Sequence, residues 1–337
     1  MVTSKHHVTV EGTLLLVGCN TSLSRTGTAM CLLFCYINPH PQIGQYKLVL
    51  VNNRDEQYNR PTKPAHFWDS GILAGMDVNP GTEGGTWLGM VRSGHIGCLL
   101  NILQPAGSPK IWKSRGFLVV DYLQSKQGAL ECCKRIQESK EKYHPFNLVT
   151  LEPAGDSYKM VVYNYDEDQI QQLKPGIHGI SNSSIDKPFL KVGKGCKKFE
   201  QIIETHGKVE KEEELMKALE AMMRDEEACF PDPQIIIQGE KYEEQVLNEL
   251  SSIYVSCYGY GTRTTTLILV DHTDRVKVQE KTKRQPINDH KPDWDTRWVQ
   301  LGGGPMTKTP PLQDLHSRSS PCYICRVQFY KRLTKLR

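Results

Sequence analysis

Met30-Cys31-Leu32-Leu33-Phe34-Cys35-Tyr36-Ile37 is followed, after Asn38-Pro39-His40-Pro41, by Tyr46-Lys47-Leu48-Val49-Leu50-Val51 and then by Asn52-Asn53-Arg54-Asp55-Glu56. Both apolar runs have strand length and character, and the prolines between them break the chain. The pattern predicts a buried hairpin with strands over 31–37 and 46–51. Five polar residues then stand where the second strand ends. A polar group buried there demands partners, because leaving it unpaired costs kilocalories.

Outward from this hairpin, residues 60–89 are rich in turn formers and include Glu83-Gly84-Gly85-Thr86-Trp87-Leu88-Gly89. A strand is expected over 95–103, then helices over 115–126 and 128–142. In the first helix Leu118, Val119, Tyr122 and Leu123 share one face. Strands return at 146–151 and 158–163, and a short one at 177–181 ends on Asn182. Helices are expected over 192–206 and 211–227, the latter with a stripe of Leu215, Leu219, Met222 and Met223 that reads as core packing. Pro231-Asp232-Pro233 stops it. A strand over 253–257 and a hairpin over 264–271 and 275–281 close the pattern. Helices set between blocks of hairpin-like strands predict an α+β fold of antiparallel sheets under helical layers, not a regular βαβ wheel.

The chain has 337 residues and a formal net charge of +4. That charge is uneven. Residues 301–337 carry +6 and residues 1–29 carry +1, which leaves −3 on the body. A mildly acidic body argues against a nucleic-acid-binding core. The eleven cysteines are scattered and odd in number, which reads as a reducing compartment. No apolar run approaches the roughly 18–20 residues of a membrane span. Three parts are expected: an unstructured extension over 1–29 with nine Ser or Thr, one domain over 30–300, and a disordered basic tail over 301–337. Cys322-Tyr323-Ile324-Cys325 in that tail lacks a second ligand pair, so no metal site is expected.

Walker A, His-Glu-x-x-His, EF-hand and Gly-x-Ser-x-Gly patterns are all missing. What remains is a set of polar residues at strand ends: Arg54, Asp55, Asn101, Asn182 and Arg263. They either hold the sheets together or build a site. Cys31 favours a site. Were it the first residue of the mature protein, its own α-amine would serve as base for its thiol. Arg54 would then orient substrate, and Asn182 or backbone N–H groups would hold an oxyanion.

Asn53-Arg54-Asp55-Glu56, placed after Met30-Cys31 and a strand pair, resembles the signature of the NRDE family, in its eukaryotic branch. Arg60-Pro61, Phe67-Trp68, residues 83–89, Gly179-Ile180-Ser181-Asn182, Pro231-Asp232-Pro233 and Gly259-Tyr260-Gly261-Thr262-Arg263-Thr264 match in the same order. The resemblance implies a four-layer αββα fold like that of the N-terminal-nucleophile hydrolases. It also implies a site of Cys31, Arg54, Asp55, Asn101, Asn182 and Arg263. Family members usually begin at the position of Met30; here 29 residues precede it, and if they are retained Cys31 has no free amine.

Two readings follow. In the first, implied by the resemblance, the chain is a trafficking protein in Golgi organisation and protein secretion that handles haem or a lipid. It would work in the cytoplasm, with peripheral association to Golgi or mitochondria. His66, His95 and His178 lie near the matching motifs and are the haem-ligand candidates. In the second, it is a cysteine amidase or acyltransferase that uses Cys31.

Overall fold

A computed structural model describes residues 30–106, 113–139, 141–288 and 291–302. The expected extension over 1–29, the Cys322–Cys325 pair and the tail from 303 onward lie outside these residues.

The hairpin forms as expected, but its second strand is longer: β1 spans Leu32–Ile37 and β2 spans Tyr46–Gln57. Asn52 to Glu56 therefore lie inside a strand rather than after it. β1 and β2 pair antiparallel, with Leu32 opposite Asn53. β10 (Gly176–Ile180) flanks β1, and β12 (Tyr260–Asp271), β13 (Val276–Lys283) and β14 (Trp294–Leu301) follow on the other side of β2. The expected strand over 253–257 shrinks to β11 (Ser256–Cys257), which pairs only with the first residues of β12.

The second sheet is an antiparallel meander. It runs β3 (Thr62–Phe67), β4 (Ile72–Asp77), β5 (Leu88–Val91), β6 (Ile96–Asn101), β7 (Phe146–Ala154), β8 (Ser157–Asn164) and β9 (Gln169–Leu173). The stretch that read as turns thus holds three short strands, since turn formers here punctuate strands of four to six residues.

Alternation with a period of two places the layers. Leu33, Cys35, Leu48, Leu50, Ile268 and Val270 face Cys98, Leu100, Val149, Leu151 and Met160 of the other sheet. Their neighbours Leu32, Phe34, Val49, Val51, Leu267 and Leu269 face helices. Those helices are α3 (Leu190–His206), α4 (Glu212–Met223), α5 (Pro233–Gln238) and α6 (Glu244–Leu250). On the far side, α1 (Gly116–Gln124) and α2 (Ala129–Glu138) pack on Ile72, Leu99, Leu148 and Val161. The result is helix, sheet, sheet, helix, the order expected.

Two short helices were not expected. Asp232 ends no structure; it starts α5, accepting from the Gln234 and Ile235 amides with Pro233 in the first turn. No helix among the described residues is long and apolar enough to cross a membrane.

Candidate functional site

Alternation along β2 separates the residues of the Asn-Arg-Asp-Glu run. Leu48 and Leu50 face the second sheet, so Arg54 does too. Val49 and Val51 face the helices, so Asn53 and Asp55 do as well. The β1–β2 register continues to set Cys31 across from Arg54, on the inter-sheet side.

Arg54 reaches into a cavity of about 350 Å³ at the end of the two sheets. Cys31, Glu56, Arg60, Asp77, Thr82, Trp87, Asn101, Lys113, Arg115 and His144 also line it. The Arg54 guanidinium lies over the Trp87 ring, and its Nη2 is 3.5 Å from Glu56. Arg60 donates to Asp77 at 2.6 Å, and the Thr82 hydroxyl donates to the same carboxylate oxygen at 2.8 Å. Arg115 donates to the Pro145 carbonyl at 2.9 Å. Burial pulls the Arg115 guanidinium down to about 10.

Cys31 is 4% exposed. Burial, and then the Asp55 charge, push its thiol up to about 12. At neutral pH it is a thiol, not a thiolate. The residue before it is packed away: Met30 is fully buried and its amide donates to the Tyr260 hydroxyl at 2.6 Å.

Of the six residues read from sequence, Cys31, Arg54 and Asn101 line this cavity; Asp55, Asn182 and Arg263 do not. Asp55 lies on the helix side of β2. Its Oδ1 accepts from the Thr262 hydroxyl at 2.6 Å, and Oδ2 has no partner among the described residues. Burial raises its carboxyl to about 7, against the opposing pull of Lys191, Lys283 and Arg54. Lys191, on α3, is fully buried and donates to the Leu250 and Ser252 carbonyls at 2.8 and 3.0 Å.

Asn182 ties the end of β10 to the end of β6, donating to the Asn101 carbonyl at 2.5 Å while its own carbonyl accepts from the Leu103 amide at 2.9 Å. Arg263 does not precede its strand. It is the extra residue of a bulge within β12, where Thr262 pairs with Asp55 and Thr264 with Arg54. Its Nη1 donates to the Gln57 and Arg60 carbonyls at 2.8 and 2.6 Å. None of the three histidines expected as haem ligands lines the cavity. His66 bonds the Pro64 carbonyl, His95 the Ser93 hydroxyl and His178 the Lys174 carbonyl.

Sequence reading missed most of the cationic wall. Arg60 and residues 83–89 were visible as motifs, but nothing local said they meet Arg54. Arg115 was legible only as a helix start, and Lys191, on the helix side, fell just before the helix expected over 192–206.

The family model described as Transport and Golgi organisation 2 matches residues 30–285. The chain belongs to the Transport and Golgi organisation 2 family. Among members of this family, the mouse Transport and Golgi organization 2 homolog is 36% identical over 277 residues, covering 81% of this chain and 99% of its own length. The human homolog is 35% identical, with the same coverage of both chains. The Drosophila melanogaster protein is 31% identical and covers 75% of this chain and 92% of itself. Among solved structures, a mutant of the conjugated bile acid hydrolase from Clostridium perfringens aligns with a TM-score of 0.39 at 7% identity, over 81% of this chain and 98% of its own. A likeness at that level carries no functional weight. In this member of the Transport and Golgi organisation 2 family, the matched segment spans the second sheet, the first sheet except β14, and every residue named for the cavity.

Proposed function

We propose that this chain serves Golgi organisation and protein secretion, the role its relatives' names describe, by binding a ligand in the Arg54 cavity rather than by hydrolysing an amide. The state of Cys31 carries this reading. With Met30 in place its nitrogen is a peptide nitrogen that offers no amine base, and its thiol stays protonated at neutral pH. A nucleophile without a base or a thiolate is a poor catalyst.

The ligand is a lipid or a haem. The cavity lies at the small end of the roughly 300–1,000 Å³ usual for ligand pockets. Its wall is largely polar, which suits a polar head. For haem, Cys31 and His144 are the side chains of iron-binding type that line it. The protein works from the cytoplasm, in peripheral contact with Golgi or mitochondrial membranes.

Rescue of secretion in cells depleted of their own family member tests the reading. Cys31→Ser is expected to rescue and Arg54→Gln to fail, both at wild-type abundance. Loss of rescue with Cys31→Ser, together with a mature N-terminus at Cys31 by mass spectrometry, would instead establish the amidase. A saturable Soret shift on haem titration selects haem; a strictly linear absorbance excludes it.

A further inference from the structure

We propose that the cavity holds an oxyanion subsite for a phosphate group, built from Arg54, Arg115 and the N-terminus of α1. This rests on the reading of the cavity as a ligand site and names the chemistry that site recognises.

Arg54 is the first observation. It is 4% exposed and lines the cavity, yet its buried Nη1 has no hydrogen-bond partner among the described residues. A guanidinium nitrogen left unpaired out of water is costly, and an anion in the cavity removes that cost. Its other terminal nitrogen is engaged only loosely, 3.5 Å from Glu56.

The helix end is independent of Arg54. Ser114, Arg115 and Gly116 bring the start of the nine-residue α1 to the cavity wall. No side chain caps this end, and its first turn holds no acidic residue. The Leu118 amide is taken by the Arg115 carbonyl at 3.0 Å, which leaves the Gly116 and Phe117 amides and the positive end of the helix dipole at the cavity wall. Gly85 keeps the opposing loop close: a Cβ there would stand 3.2 Å from the Gly116 Cα. The approach leaves backbone rather than side chain at this wall.

Charge adds a third argument. Arg54, Arg60, Lys113 and Arg115 line the cavity with Glu56 and Asp77, and of these cations Lys113 is paired with Glu141 at 3.0 Å. Asp77 is already taken by Arg60 and Thr82. Arg115 has no carboxylate within ion-pair distance among the described residues; its hydrogen bond goes to a carbonyl. Two guanidinium forks and a helix end offer donors from three sides. A phosphate, with three terminal oxygens, uses all three, whereas a planar carboxylate has two oxygens to offer. The source is a phosphorylated lipid head, a nucleotide or free phosphate.

Calorimetric titration of the full chain with inorganic phosphate, dihexanoyl phosphatidic acid and AMP tests the proposal. Saturable binding of at least one is expected, accompanied by a change in tryptophan fluorescence from Trp87 under Arg54. Arg54→Gln and Arg115→Gln should each weaken it at least about tenfold. Lys113→Gln, at a half-exposed position, should weaken it less, and Lys198→Gln, far away on α3, not at all. Phosphate should also raise the thermal midpoint of the wild type but not of Arg115→Gln, which guards against a variant that merely unfolds. Tighter binding of phosphatidic acid than of phosphate assigns a lipid head, tighter AMP a nucleotide, and equal affinities free phosphate.

Absence of saturable binding by all three, or wild-type affinity in folded Arg115→Gln, overturns the proposal. If a neutral lipid or haem still binds the chain in that case, the ligand-binding reading survives without the oxyanion. If nothing binds, both fall.

Discussion

The guanidinium carbon of Arg54 stands 4.1 Å from the centre of the Trp87 ring, and this stack joins the two sheets at the cavity. Arg54 comes from β2 of one sheet. Trp87 comes from the strand-entry loop of the other, just before β5. A cation over an indole out of water is worth about 2 kcal/mol. Room for the ring is made by Gly75, where a Cβ would lie 2.4 Å from the Trp87 Cη2 atom.

Trp87→Ala should therefore destabilise the fold by about 3–5 kcal/mol, the usual cost of deleting a buried tryptophan. Gly75→Ala should cost about 1–3 kcal/mol by overpacking the same contact. Urea unfolding followed by circular dichroism measures both. Were Gly75→Ala as stable as wild type, the ring would not be pinned where the structure has it. Because Trp87 seats Arg54, Trp87→Ala should also weaken any ligand that binds Arg54.

Asp55 gives a pH dependence with a definite sign. Its carboxyl is raised to about 7 in the folded chain, chiefly by burial. In the unfolded chain it titrates near 4. Between those values the folded state keeps a proton that the unfolded state has lost. Stability from this group is complete below about pH 4 and falls as pH rises to about 7. Asp55→Asn, which stays neutral and still accepts from Thr262, should lack this component. The expected result is that Asp55→Asn gains on the wild type steadily across that window in urea midpoints. Parallel curves would mean that Lys191, Lys283 and Arg54 keep Asp55 ionised throughout.

α3 crosses the first sheet closely, and glycine makes that possible. A Cβ on Gly195 would lie 2.0 Å from the Phe34 ring of β1, and one on Gly179 of β10 would meet the Cys196 sulfur and Val192. Gly195→Ala should cost about 1–3 kcal/mol or more, since Phe34 is fully buried and cannot swing away. Phe34→Leu should recover part of the loss in the double variant. A purely additive pair would place the strain elsewhere.

How much of this was legible beforehand depends on whether the signal was local. β1 and β2 were readable because apolar runs of strand length stand between breakers. The four-layer order followed from helices set between hairpins and from the family resemblance. Asn52 to Glu56 were misread as a strand end, because five polar residues look like a loop until the bonds that bury them are known. Asn53, for example, donates to the Met223 and Ile253 carbonyls, 170 and 200 positions away. Cys31, Arg54 and Asn101 were found as cavity residues. Arg115 was not, since its meeting with Arg54 depends on how the second sheet lies against the first. β9 and β14 were missed because half or more of their residues are polar and their strands sit at sheet edges, where apolar alternation fades.

Arg263 was legible as a residue that needs partners, and the structure sets it off the cavity lining, bonded to backbone beside it. Its Nη1 holds the Gln57 and Arg60 carbonyls together, just where the chain leaves β2 for the cavity wall. Burial lowers its guanidinium to about 9, so it remains charged at neutral pH. Arg263→Met keeps most of the volume and removes the donor, which leaves two carbonyls unserved by it. The expected loss is about 3 kcal/mol or more in urea unfolding. Arg60 should then be set less firmly against Asp77, so ligand affinity falls as well. Arg263→Lys restores the charge but not the fork, and should recover part of the stability. A positioning residue acts through Arg60, so in an Arg60→Gln background Arg263→Lys should change affinity little while still costing stability. If it weakened binding equally in both backgrounds, Arg263 would have to touch the ligand itself.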